Sequence, residues 1–153
     1  MSDATWTRDC EMIRQTIALY CQLLDDQAFD ELAQLFTHDA ELPWQGRTLQ
    51  GRDEIAAEMH TTQEALGRTR HLPFASVIDV RGTTALAWTE TAVTLNDSDG
   101  SAQIAWLGRY HDELRLEDGW WRFSRHVAVT VGQERPVGVV APSLSTRMGV
   151  PDR

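Results

Sequence analysis

The sequence predicts an α+β domain in which a curved antiparallel sheet wraps around N-terminal helices and encloses an internal pocket. Two observations support this fold class. Apolar residues recur at three- and four-residue steps up to residue 66, and from residue 71 they form long strand-like runs separated by turn sequences. Helices that precede an antiparallel meander usually cover one face of its sheet. A sheet that curls around them leaves a cone-shaped space.

Three helices are predicted in the first part of the chain. The first covers residues 9–24, and the second is short and follows Asp25-Asp26. A short strand, a turn and an edge strand come next. The third helix covers residues 54–66, with Asp53 as its N-cap, because an aspartate side chain accepts hydrogen bonds from the free amides of a first turn. The apolar face of the first helix consists of Ile13, Ile17, Tyr20, Cys21 and Leu24.

Four long strands follow the helices. They read "HLPFASVIDV", which begins at His71, then "TALAWTETAVTL", "AQIAWLGRYHDELRL" and "WWRFSRHVAVTV". Turn sequences at residues 81–82, 96–100 and 117–119 connect them into a meander. The domain is predicted to span residues 1–132. Residues 133–153, which hold three of the five prolines, are predicted to form an irregular tail.

Composition argues against two classes of partner. The net charge is −9, from 14 basic and 23 acidic side chains, and the basic residues are scattered. Such a chain repels phosphate backbones and anionic lipid surfaces, so neither nucleic acid nor a membrane is expected as a partner. The sequence contains no apolar run of membrane-spanning length, and its N-terminus lacks the basic and apolar regions of a signal peptide. A cytoplasmic location is therefore expected.

The sequence also gives no sign of a metal or a cofactor. It lacks the paired-histidine and Cys/His spacings of metal sites, the phosphate loop and the dinucleotide fingerprint. The two cysteines, Cys10 and Cys21, lie in one predicted helix, roughly 16 Å apart along its axis, which is too far for a disulfide. Free thiols and cofactor-independent chemistry are expected.

A family resemblance rests on four stretches, "ALYCQLLDDQAFDELAQLFTHDAEL", "GRDEI", "RTRHLPFASVIDVRGTTALA" and "GRYHDELRLEDGWWRFSRH". Over residues 8–131 the chain resembles the polyketide-cyclase-like (SnoaL-like) branch of the nuclear-transport-factor-two-like superfamily. The resemblance implies the cone-shaped, cystatin-like roll. It leaves the activity open, because this fold hosts isomerases, dehydratases, cyclases, hydrolases and non-catalytic subunits.

The resemblance implies two catalytic residues, Asp25 and His71. The pattern is similar to scytalone dehydratase, hexachlorocyclohexane dehydrochlorinase and bile-acid dehydratase, which carry an aspartate at the end of the first helix and a histidine at the start of the first long strand. Other pocket groups differ. Tyr20 stands where the dehydrochlorinase has a lysine, and Leu24 stands where scytalone dehydratase has a tyrosine.

Lyase chemistry suits this pair of residue types. Elimination needs a base that removes a proton from carbon, and the ordinary histidine pKa of about 6.5 is close to working pH. A carboxylate behind the imidazole orients it and stabilises the imidazolium. Asp25 and His71 have structural interpretations too. The aspartate is a good N-cap for the second helix, and a lone histidine at the start of a strand is often structural.

Further residues are candidates for substrate binding. Arg125 and His126 point to opposite faces of the last strand, so only one of them faces the cone, and Tyr20 offers a hydroxyl from the first helix. The aromatic residues suit a flat or ring-shaped ligand, although core packing explains them nearly as well. His38, His60 and His111 are expected at solvated positions. The substrate-binding candidates are Tyr20, Trp44, Trp88, Trp106, Tyr110 and His126.

Three functions are consistent with these features. The first is a cofactor-independent lyase, a dehydratase or dehydrohalogenase, that acts on a small hydrophobic cyclic molecule with His71 as base. The second is an isomerase or cyclase in which Asp25 alone moves the proton. The third is a ligand-binding or structural subunit. The resemblance implies that the outer face of the sheet packs against a copy of itself, so a homo-oligomer is expected, a dimer or, as in the dehydratase resemblance, a trimer.

Overall fold

The computed structural model describes residues 2–143 and shows three helices and one six-stranded sheet. The helices are α1 (Asp3–Asp25), α2 (Phe29–Gln34) and α3 (Arg52–Leu66). The strands are β1 (Phe36–Trp44), β2 (Arg47–Gln50), β3 (Thr69–Arg81), β4 (Thr84–Asn96), β5 (Ala102–Glu117) and β6 (Trp120–Thr130). The sheet is curved and open, with the order β2-β1-β6-β5-β4-β3. The predicted fold class is confirmed.

One pair of neighbouring strands departs from the antiparallel pattern. β1 and β6 are parallel, whereas every other pair in the sheet is antiparallel. Tight turns connect β3 to β6 in sequence, and such turns impose antiparallel pairing. β1 and β6 are separated by residues 45–119, about half of the chain, so no turn sets their relative direction. The sequence pattern therefore predicted the meander and missed the parallel pair.

Two helix starts differ from the prediction. α1 begins at Asp3, where the Ser2 side chain accepts a hydrogen bond from the Thr5 amide at 3.2 Å. The polar first turns of α1 carry no apolar period, so the pattern did not indicate them. α3 begins at Arg52, and its N-cap residue is Gly51, which makes no side-chain cap. Asp53 is therefore not the N-cap. It lies in the first turn, where a negative charge favours the helix macrodipole.

α1 packs into the curve of the sheet and forms the core with β6. The Thr16 hydroxyl donates to the Trp121 carbonyl at 2.8 Å, and the Trp121 indole donates to the Asp9 carboxylate at 3.2 Å. Cys10 and Cys21 lie buried on the same helix as free thiols. Burial raises the pKa of both thiols, so they remain protonated at neutral pH.

The chain after β6 crosses the outer face of the sheet, the face turned away from α1. Residues 133–143 contain no helix or strand. The Val140 carbonyl accepts hydrogen bonds from the Trp88 indole at 2.9 Å and from His111 Nδ1 at 3.2 Å. The rest of the predicted tail, residues 144–153, lies outside the described residues. Between residues 2 and 143, no helix is long and apolar enough to cross a membrane.

Candidate active site

A cavity of about 240 Å³ lies between the helices and the concave face of the sheet. Side chains of α1, α3 and five of the six strands line it, and most of them are apolar or aromatic. The two predicted catalytic residues reach it differently, since His71 lines the cavity whereas Asp25 lies behind His71. Five of the predicted substrate-binding residues line it: Tyr20, Trp44, Trp106, Tyr110 and His126.

Asp25 and His71 are in direct contact at one end of this cavity. Asp25 is the last residue of α1, and His71 is the third residue of β3. The ring Nδ1 of His71 lies 2.6 Å from Asp25 Oδ1, and the His71 backbone amide donates to Oδ2 at 2.8 Å. The side chains are only 10% and 7% exposed. The carboxylate thus holds His71 by its ring and by its backbone, and leaves Nε2 for the cavity.

Two polar residues support Asp25. The Thr69 hydroxyl lies 3.0 Å from Asp25 Oδ1, to which it donates, and the Gln63 amide donates to Thr69 at 3.2 Å. Gln63 also donates to the Leu24 carbonyl at 3.4 Å. Sequence reasoning missed both residues. Thr69 lies two residues before His71 and therefore shares its face of β3, which is the signal that strand alternation offered.

These contacts decide whether Asp25 is the N-cap of the second helix. The N-cap residue of α2 is Ala28, which makes no side-chain cap. Both Asp25 oxygens bond to β3 instead. Asp25 is therefore not a helix cap.

A second aspartate–histidine pair adjoins the cavity, which His126 lines. His126 of β6 and Asp112 of β5 are register partners, and His126 Nδ1 lies 2.6 Å from Asp112 Oδ1. The two side chains are 3% and 0% exposed. Burial raises the pKa of the Asp112 carboxyl, and the hydrogen bond and charge of His126 oppose that shift. Sequence reasoning named His126 and missed Asp112, although Asp112 shares the strand face of Tyr110.

Aromatic rings hold His126 in place. The rings of Tyr20 and Tyr110 lie 4.6 Å and 4.5 Å from the imidazole, measured between centroids. Trp106 stacks on Tyr110 at 5.9 Å, and its indole donates to the Thr130 hydroxyl at 2.9 Å. Burial raises the pKa of both tyrosines, so their hydroxyl groups stay neutral.

The predictions for Trp88 and His111 need correction. Trp88 pairs with His111 across β4 and β5 on the outer face, where both bond to Val140, so Trp88 does not line the cavity. His111 is 6% exposed and is therefore buried, not solvated. The reason in both cases is strand alternation, which sends residues next to cavity-facing ones to the opposite side. His38 and His60 are exposed, as expected.

Arg125 and His126 of β6 face opposite sides of the sheet. His126 faces the cavity and Arg125 faces outward, where it lies 3.8 Å from Glu113.

No group of three or more His, Cys, Asp or Glu side chains within residues 2–143 is arranged to hold a metal ion.

A helical layer inside a curved, open sheet, with one apolar cavity between them, defines the nuclear-transport-factor-two-like class of folds. Residues 7–127 match the model of the SnoaL-like domain. The chain belongs to the SnoaL-like family. A search of curated proteins found no significant match.

Solved structures agree with this assignment. A protein of unknown function from Mycobacterium tuberculosis is 27% identical with a TM-score of 0.76, covering 88% of this chain and 76% of that chain. An NTF2-like protein with a cystatin-like fold from Novosphingobium aromaticivorans is 27% identical with a TM-score of 0.74, covering 84% and 85%. The "Putative Scytalone Dehydratase" of the same bacterium is 24% identical with a TM-score of 0.75, covering 92% and 100%. At that identity the last likeness shows the fold alone.

Proposed function

We propose that this protein is a cofactor-independent lyase, of the dehydratase or dehydrohalogenase type, in which His71 is the general base and Asp25 orients it. One observation carries the proposal: His71 lines an apolar cavity while its Nδ1 is bonded to a buried carboxylate at 2.6 Å. That distance lies within the reach that a base and its orienting group need.

The hydrogen bonds around Asp25 favour the protonation state that a base requires. Asp25 accepts from the His71 ring, the His71 amide and the Thr69 hydroxyl. Three donors stabilise an ionised carboxylate. The carboxylate in turn keeps the imidazole proton on Nδ1, so Nε2 presents a lone pair to the ligand.

The reaction follows from this arrangement. His71 Nε2 takes a proton from a ligand carbon, the C–H electron pair becomes a new C=C bond, and the leaving group departs from the neighbouring carbon with its own electron pair. Asp25 stabilises the imidazolium that forms. The apolar wall keeps water scarce, which strengthens this charge pairing. Tyr20 and His126 are the candidate hydrogen-bond donors to the leaving group or to a ligand carbonyl.

The cavity suits a small, ring-shaped, hydrophobic substrate. Its volume of about 240 Å³ lies below the usual range for drug-sized ligands. Trp44, Trp106 and Tyr110 supply flat apolar surface. A cavity that the protein's own side chains leave open also favours an enzyme or a ligand-binding protein over a structural subunit, which would fill the cone with its own side chains.

The test uses two substrates that give one product. β-Hydroxycyclohexanone and β-chlorocyclohexanone both yield cyclohexenone, which is followed by its ultraviolet absorbance. His71→Ala and Asp25→Asn are each expected to lower kcat/KM by roughly 10²- to 10⁴-fold, the usual contribution of a general base. Circular dichroism and thermal unfolding check that each variant folds.

His38→Ala is the matched control, because His38 is exposed on β1 and is not among the residues that line the cavity. Retained activity in His71→Ala would contradict the base assignment. If Asp25→Asn alone lost activity, an isomerase-like or cyclase-like proton shuttle on Asp25 would be favoured instead. The position of Asp25 behind His71 argues against that alternative.

A further inference from the structure

We propose that Asp112 and His126 form a second functional pair, in which His126 donates a hydrogen bond from Nε2 to an oxygen of the bound ligand and Asp112 is its positioning residue. The proposal deepens the lyase function and rests on it for the reaction. It adds a hydrogen-bond donor, His126, to a site whose base, His71, accepts a proton. It also assigns a role to Asp112, which the sequence did not single out.

The geometry leaves His126 only one free nitrogen. Nδ1 lies 2.6 Å from Asp112 Oδ1, and the ring lines the same cavity as His71. Tyr20 and Tyr110 flank the imidazole with centroid distances of 4.6 Å and 4.5 Å. A ring held by a carboxylate and by two aromatic neighbours has a fixed orientation. Its Nε2 is therefore preorganised toward a ligand.

The surroundings of Asp112 determine how many protons the pair holds. The Asp112 side chain is 0% exposed, and its Oδ2 has no hydrogen-bond partner within residues 2–143. An ionised carboxylate in such a place is costly unless a positive charge compensates it. The side chain that compensates it at hydrogen-bond distance is His126. The pair is therefore most stable with no net charge, which requires one proton more than the combination of carboxylate and neutral imidazole.

That extra proton makes Nε2 a donor whichever atom holds it. In the imidazolium–carboxylate form, both ring nitrogens of His126 carry hydrogen. In the imidazole–carboxylic acid form, Asp112 donates to Nδ1, and the neutral ring then carries its hydrogen on Nε2. Both forms present an N–H group to the cavity.

Asp25 has the opposite environment. It accepts three hydrogen bonds, whereas Asp112 accepts one. The Asp25 carboxylate is thus stable without an added proton, and His71 presents a lone pair. Because the two aspartates lie in different environments, the two pairs take different roles: His71 is the base, and His126 is the hydrogen-bond donor.

The donor has a defined task in the reaction. When His71 removes a proton beside a carbonyl, the C–H pair becomes a C=C bond and the carbonyl π pair moves onto oxygen. The His126 N–H group stabilises that oxyanion in a site with little water. The pair on oxygen then re-forms the C=O bond, the C=C pair moves to the bond between the α and β carbons, and the leaving group departs from the β carbon with its electrons. His126 keeps its proton throughout.

Ring-nitrogen NMR of the ligand-free protein tests the protonation states directly. The protein is labelled with ¹⁵N-histidine, and signals are assigned with His71→Gln and His126→Gln. At neutral pH we expect a protonated Nε2 on His126 and an unprotonated Nε2 on His71. An unprotonated Nε2 on His126 would overturn the proposal.

Ligand binding tests the role of the donor. para-Chlorophenol and chlorobenzene are similar in shape, but only the phenol carries an oxygen. Asp112→Leu keeps a similar shape but has no polar atom that could donate to or accept from His126 Nδ1, so calorimetry is expected to show roughly tenfold weaker binding of the phenol and unchanged binding of chlorobenzene. Asp9→Leu is the matched control, because Asp9 is a buried aspartate whose partner, Trp121, does not line the cavity.

The two proposals fail in different ways. Equal changes for both probes, or failure of the phenol to bind where chlorobenzene binds, would reject the donor role. Neither experiment requires turnover. An inactive protein with a protonated His126 and selective phenol binding would therefore reject the lyase function alone, whereas an active enzyme with an unprotonated His126 would reject only the second pair.

Discussion

Gly108 lies on β5 between two aromatic residues of the cavity wall, Trp106 and Tyr110. A Cβ atom at this position would overlap the Val129 carbonyl oxygen and the Trp106 indole. The absence of a side chain therefore allows the indole to lie flat across the strand, stacked on Tyr110. The shape of the cavity depends on this glycine through packing and not through backbone flexibility.

We predict that Gly108→Ala destabilises the protein by about 1–3 kcal/mol, the usual cost of overpacking a filled site. The Val129 carbonyl belongs to the neighbouring strand and cannot move without loss of pairing, so Trp106 should also shift. Urea denaturation measures the stability. Ala128→Ser, a small change at another cavity-lining position, is the control, and a Gly108→Ala variant as stable as the control would contradict the packing argument.

At the level of residues, the sequence predicted one pair better than the other. The neighbourhood of Asp25 and His71 followed from the family resemblance, since no spacing relates two residues that are 46 positions apart. Asp112 has no such guide. An aspartate in the middle of a strand resembles a solvent-facing residue, and only the register with His126 places it inside the cone.

At the level of elements, bulges limit what strand periodicity can predict. The strand register shifts between Pro73 and Ser76, between Val93 and Thr94, and between Glu113 and Leu114. Each shift breaks the alternation that assigns side chains to a face. The existence of β3–β6 was predictable from composition and turns, whereas the side of the sheet that a residue beyond a bulge faces was not.

The segment after β6 links His111 to the pH dependence of stability. Burial lowers the pKa of His111, partly opposed by its hydrogen bond to the Val140 carbonyl, while Arg109 and Arg135 lower it further and nearby Asp112 raises it. Below the ordinary histidine pKa of about 6.5, the unfolded chain binds a proton that the folded protein excludes. Stability from this group is therefore present above that pH and is lost as the pH falls.

We predict that acidification from pH 7.5 to 5.5 destabilises the wild type more than His111→Gln. One histidine contributes at most about 1.4 kcal/mol per pH unit, so the difference between the two proteins has an upper bound. Guanidinium unfolding at both pH values measures it. The glutamine still donates to Val140, which keeps the tail contact. An equal loss of stability in both proteins would contradict the assignment.

At the level of the whole molecule, the outer face of the sheet combines a covered and an uncovered region. Near Trp88 and His111 the tail covers it. Elsewhere Leu72 and Leu107 flank Ala92 in one row across three strands, and the two leucines are 42% and 47% exposed. We call this set the outer apolar row. An exposed apolar row on a sheet is a suitable contact for a second copy of the chain.

We expect a dimer or trimer, and the double variant Leu72→Asp/Leu107→Asp should dissociate it. Sedimentation velocity at micromolar concentration measures the mass of both proteins. Charges buried without partners at an interface are costly, so dissociation should be complete. Trp120→Asp is the matched control, because Trp120 is an exposed apolar residue at the start of β6, outside the outer apolar row, and this variant should leave the assembly intact. A monomeric wild type would contradict the expectation.

The fold as a whole was predictable because its signals are local: helical period, strand runs and turn sequences. The parallel β1–β6 pair depends on a contact between distant segments, which a single sequence does not encode in any local pattern. The second aspartate–histidine pair lies across the β5–β6 hairpin, where the bulge between Glu113 and Leu114 shifts the register.

The bond between Asp25 and the His71 amide has a consequence for aggregation. β3 is an edge strand of the open sheet, and edge strands with free amides invite pairing with other chains. The Asp25 carboxylate accepts this amide of β3 at 2.8 Å and so closes one position of the edge. The Asp25 carboxylate therefore also protects the molecule against intermolecular strand addition. Replacement by asparagine keeps an oxygen to accept the amide, whereas replacement by alanine leaves the amide free, so aggregation is expected only in the alanine variant.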